Sequence, residues 1–112
     1  MGCRIYHAKK YQVEWDTARG GYFNWKAEEL EMALRDLGIE VWMSNPEDSY
    51  GDWEISKDEL SKLVKILQSK DPDELIGGTE AEPIDAGTTL EWARTALENS
   101  DPNIDYVRFS WF

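Results

Sequence analysis

The stretch Asn24–Ser44 reads NWKAEELEMALRDLGIEVWMS, and its reading decides the fold class. Leu30, Ala33, Leu34 and Leu37 stand at i, i+3, i+4 and i+7, an apolar stripe along one side of a helix. Asn24 suits the N-cap, and Glu28 and Glu29 lie where the helix dipole favours negative charge, so the helix is expected from about Trp25 to Leu37. Gly38 supplies a left-handed stop. Beyond it the helical spacing gives way to alternation: Ile39, Val41 and Met43 against Glu40, Trp42 and Ser44, which is a strand with large apolar groups on one side and Trp42 on the other.

The same two periods recur outward from this stretch. Upstream, odd positions from Cys3 to Trp15 read Cys, Ile, His, Lys, Tyr, Val, Trp, predicting one long strand or two halves broken near Lys9 and Lys10, with a turn at Gly20 and Gly21. Downstream, Asn45–Asp52 reads as a loop. Ser56 and Glu59 form a capping box for a helix from Lys57 to about Ser69, striped with Leu60, Leu63, Val64 and Leu67. Gly77, Gly78, Pro83 and Gly87 break the next segment into a loop. Thr88 with Glu91 opens a third helix to about Glu98, and Ile104–Phe112 reads as a terminal strand. The order β-α-β-α-α-β predicts one compact α+β domain over residues 1–112, a small sheet of three to four strands with about three helices packed on one face.

Composition bounds the function. The chain has 112 residues, with 23 acids against 12 bases, for a net charge of −11. Binding to naked nucleic acid is disfavoured, since every phosphate contact wants a positive group. The acids are uneven: Asp71, Asp73, Glu74, Glu80, Glu82, Asp85 and Glu91 lie in a segment without a single base. Such a surface speeds encounter with a basic protein partner, and its carboxylates could stand in for phosphates in the groove of a nucleic-acid-binding protein. A membrane span needs about 20 consecutive apolar residues, which this chain lacks. Cys3 is the one cysteine, so a disulfide framework is excluded, and a single thiol without an export signal points to the cytoplasm.

Fourteen aromatics (6 Trp, 5 Tyr and 3 Phe) are many for three short helices to cover. The alternation puts Tyr6 opposite Ile5, and sets Tyr106 with Ile104 on one face of the last strand against Val107, Phe109 and Trp111 on the other. Tyr6, Trp42, Tyr106, Phe109 and Trp111 are therefore the expected interface aromatics, and Asp71, Asp73, Glu74, Glu80, Glu82 and Asp85 the expected steering carboxylates. Read as a sheet edge, Tyr106–Trp111 also offers a route to a homodimer.

Catalytic motifs are sparse. His7 and Cys3 lie four apart on an extended strand, roughly 13 Å, too far to act as a pair. Neither a phosphate-cradling glycine loop nor a nucleophile elbow occurs, and no motif calls for a cofactor. Asp48–Leu60 resembles the later part of an EF-hand calcium loop, with Asp48, Tyr50 and Asp52 at the first, third and fifth places and Glu59 at the bidentate twelfth. Trp53 takes the place of the glycine. That resemblance implies a cation held by Asp48, Asp52 and Glu59. Three readings follow: a non-enzymatic protein-binding module with a basic partner (an inhibitor or accessory factor), a small enzyme or carbohydrate binder using an aromatic sheet face, and a degenerate calcium loop.

Overall fold

The computed structural model of the chain describes residues 5–9, 12–15, 23, 26–43 and 51–111, with 5–9, 12–15, 110 and 111 placed by their backbone. The elements are β1 (Ile5–Lys9), β2 (Gln12–Trp15), α1 (Ala27–Asp36), β3 (Trp42–Met43), β4 (Asp52–Ser56), α2 (Lys57–Gln68), β5 (Leu75–Gly78), β6 (Pro83–Asp85), α3 (Ala86–Glu98) and β7 (Tyr106–Trp111). Strands β2-β1-β7-β4-β3 form one sheet, antiparallel at every pairing, while β5 and β6 make a separate hairpin. The fold is α+β with three helices among the described residues, as the two periodicities imply. Strands are more numerous than the three or four expected. The first alternating run divides into β1 and β2, paired Lys9 to Gln12 through Tyr6 to Trp15. Asp52 belongs to a strand rather than a loop, and the glycine- and proline-containing segment before α3 is a hairpin.

α1 begins at Ala27 with Lys26 at the N-cap, where no side-chain cap forms; the anticipated cap, Asn24, lies outside the described residues. Lys26 is only 8% exposed and donates its Nζ to the Pro83 carbonyl at 2.9 Å, so its ammonium ties α1 to β6. At the other end the Gly38 N–H donates to Arg35 and the Ile39 N–H to Leu34, both at 2.9 Å. That double closure needs a left-handed residue at its hinge, and Gly38 has φ +80°.

α2 follows β4 without a connecting residue. Ser56 is the N-cap, accepting the Glu59 N–H at 3.1 Å. α3 starts at Ala86, ahead of the Thr88–Glu91 box, because Asp85 ends β6 in an extended conformation (φ −100°, ψ 155°) and its carboxylate accepts the Thr88 N–H at 2.8 Å. Two further N–H groups at this end, those of Ala86 and Gly87, donate to the Glu74 and Pro72 carbonyls. The loop after α2 thus completes the start of α3.

The core lies between the helices and one face of the sheet. Trp53 and Ile55 of β4 and Val107 and Phe109 of β7 meet Leu30, Ala33 and Leu34 of α1, Leu60, Leu63 and Leu67 of α2, and Trp92, Ala93 and Ala96 of α3. Trp92 is fully buried; its ring is tilted against Phe109 at 4.9 Å and meets Phe23 edge-on at 5.5 Å. Aromatic pairs at these separations add about 0.5–1.5 kcal/mol beyond the area they bury. Its Nε1 is buried without an acceptor among the described residues. Among the described residues, no helix is long and apolar enough to cross a membrane.

Candidate functional site

Strand alternation settles which side chains leave the core. Trp53, Ile55, Val107 and Phe109 turn toward the helices, so Glu54, Ser56, Tyr106 and Arg108 turn away from them. Register then sets neighbours: Trp42 lies opposite Glu54, Glu54 opposite Arg108, and Ser56 opposite Tyr106. No helix of the described residues covers this side at Trp42 and Tyr106, which remain 57% and 37% exposed. Glu40, just before β3, and Glu59, in the first turn of α2, close one end. Together Glu40, Trp42, Glu54, Ser56, Glu59 and Tyr106 line an open groove of about 250 Å³.

The groove is rich in acceptors. Glu54 Oε2 accepts from Arg108 Nη2 at 2.8 Å, and that hydrogen bond, ahead of the opposing effect of burial, holds the Arg108 guanidinium above its ordinary pKa. Arg108 Nε is buried with no acceptor among the described residues. Glu59 Oε1 accepts the Glu40 N–H at 2.7 Å, and its other oxygen lies 3.8 Å from Lys62 Nζ. The Glu40 carboxylate and the second oxygen of Glu54 take no hydrogen bond from any described residue. A carboxylate offers about four lone-pair sites, so most of the acceptor capacity stays open. Ser56 is engaged as a helix cap. The chemistry on offer is ring faces beside carboxylates.

The anticipated residues part company here. Trp42 and Tyr106 come together, and Glu59, singled out for calcium, joins them. Phe109 is a correction: it is 0% exposed and packs tilted against Trp92, so it belongs to the core. Its face of β7 is the one the helices cover. Edge-to-edge dimerisation through β7 is also excluded, because β7 is the central strand with β1 on one side and β4 on the other. Tyr6 and Trp111 are strand residues by their backbone, Tyr6 paired with Trp15 and Ser110, Trp111 with Ile5.

The steering carboxylates are spread over other tasks. Asp71 accepts the Asp73 N–H at 2.9 Å in a local turn, Glu74 pairs with Lys70 at 3.1 Å, and Asp85 caps α3. Asp73 and Glu80 are exposed, and Glu82 is half-buried. Of the calcium set, Asp48 lies outside the described residues, Asp52 opens β4 opposite Ser110, and Glu59 faces the groove. Among the described residues no three His, Cys, Asp or Glu side chains cluster as a metal set.

Glu54 is hidden because its strand is short and follows a loop-like run, and Ser56 is legible only as a helix cap. Glu40 carried a readable signal, its alternation with Ile39 and Val41 on the Trp42 side. Comparison with family models, curated proteins and solved structures returned no match for this chain.

Proposed function

We propose that this chain is a non-enzymatic protein-binding module whose partner presents a basic surface. One observation carries the reading: two exposed aromatics, Trp42 and Tyr106, stand among three carboxylates on a sheet side that no helix covers at those positions. Exposed rings clustered on a rigid strand scaffold supply grip at little entropic cost, and a net charge of −11 supports a partner of opposite sign. The lone Cys3 supports a reducing, cytoplasmic setting.

Capture from a total lysate by the immobilised chain tests this, comparing wild type with a Trp42→Ala, Tyr106→Ala double variant at low and high salt. Basic proteins retained by wild type at low salt, and released by either change, are the expected result. Proteins held equally by the variant would refute the role of this face. Tryptophan quenching by neutral glycans, with no basic protein captured, would replace the reading with sugar binding.

A further inference from the structure

Resting on that reading, we infer that the groove between β3, β4, β7 and the start of α2 is the seat of an arginine side chain on an extended basic segment of the partner. Its lining is suited to a planar cation. Trp42 and Tyr106 present ring surface, and a guanidinium lies flat on such a ring while its edges reach hydrogen-bond acceptors in the same plane. Those acceptors are present: both oxygens of Glu40 and the second oxygen of Glu54 are unused by any described residue. A guanidinium takes carboxylates two bonds at a time, which an ammonium does not.

The face already handles one guanidinium of its own. Arg108 pairs with Glu54 at 2.8 Å. An incoming arginine would extend this pattern along the row toward Trp42 and Glu40. Charge rules out the other occupants. A second copy of the chain would bring Glu40, Glu54 and Glu59 against the same three residues around a two-fold axis. Nucleic acid carries the wrong sign, and a neutral sugar would leave the Glu40 carboxylate without a countercharge from any described residue.

The test is a titration of the ¹⁵N-labelled full chain with short capped peptides of alternating glycine and arginine, followed by nuclear magnetic resonance. Peptides with lysine or glutamate in place of arginine run in parallel. The arginine peptide is expected to shift the Trp42 indole N–H and the amides of Glu40, Glu54, Ser56 and Tyr106, the lysine peptide more weakly, the glutamate peptide not at all. Trp42→Ala should weaken the arginine peptide by about two- to fivefold, the value of one exposed cation–π contact. Glu40→Gln, at an exposed side chain that takes no hydrogen bond from any described residue, should weaken it by up to about fivefold with the fold intact. Shifts confined to residues 71–85 would overturn the groove while leaving a basic partner standing. Silence toward both basic peptides would overturn both readings, and equal binding of arginine and lysine would overturn the guanidinium assignment.

Discussion

Gly77 offers the sharpest test of how the hairpin docks on the helices. A Cβ built there would lie 2.6 Å from the Ala33 Cβ and 3.3 Å from its Cα, with the Glu29 carbonyl 3.8 Å away. Its φ lies outside the left-handed region, so alanine suffers no dihedral penalty and the cost is contact alone. Carbon atoms rest about 3.5–4.0 Å apart, so β5 and α1 must separate by about 1 Å. Overpacking of this kind costs about 1–3 kcal/mol. The stiffer unfolded chain returns about 0.4–1 kcal/mol. Gly77→Ala should therefore destabilise by about 0.5–2 kcal/mol. Guanidinium unfolding measures it, and a companion Ala33→Gly isolates the contact. Alone, that change costs about 1 kcal/mol in helix propensity and about 0.8 kcal/mol for the lost methyl. Combined with Gly77→Ala it should restore room, leaving the double variant more stable than the two losses added together by about 1 kcal/mol. Strict additivity, or a Gly77→Ala protein as stable as wild type, would refute the close docking of β5 on α1.

Other substitutions probe other joints, each read by thermal or denaturant unfolding. Asp85→Ala removes the cap of α3 and should cost about 1 kcal/mol, whereas Asp85→Asn, which keeps an acceptor, should lose less than half of that. Gly38→Ala, at φ +80°, should cost about 1 kcal/mol and Gly38→Asn less, since asparagine tolerates the left-handed region. Trp92→Ala should cost about 3–5 kcal/mol through the cavity it leaves. Trp92→Phe should recover well over half of that, because it also deletes a buried N–H that has no acceptor. Glu54→Gln weakens a partly exposed ion pair and should move stability by less than about 1 kcal/mol.

Local order was largely legible in the sequence. The stripe Leu60, Leu63, Leu67 and the box at Ser56 locate α2 to within a residue, because both signals are contained in the helix itself. Gly38 ends its helix for the reason its chemistry implies. The limits of local reading appear where distant segments decide the outcome. Val107 and Phe109 were correctly separated from Tyr106, yet alternation says only that two faces differ, and the helices alone decide which becomes the inside. The central place of β7 is set by pairings with Ile5–Ala8 and Asp52–Ser56, partners far away in the chain. The groove was half visible. Trp42 and Tyr106 stood out as exposed rings, and Glu59 was noticed for another chemistry, but their meeting depends on the β3-β4-β7 register. The hairpin before α3 was masked by the residues that make it possible, since Gly77 looks like a loop signal until Ala33 is seen pressed against it.

The placement of β7 orders events during synthesis. Within the sheet, β1 touches only β2 and β7, and β7 leaves the ribosome after all the other strands. The strands of the first hairpin and of the β3-β4 pair are therefore synthesised before the strand that joins them, and until it arrives the inner edge of each pair has no partner in the sheet. Closing the gap means joining segments about a hundred positions apart, a slow step for any chain. During that interval acidic residues have a second use: mutual repulsion between nascent copies keeps those waiting edges from finding one another.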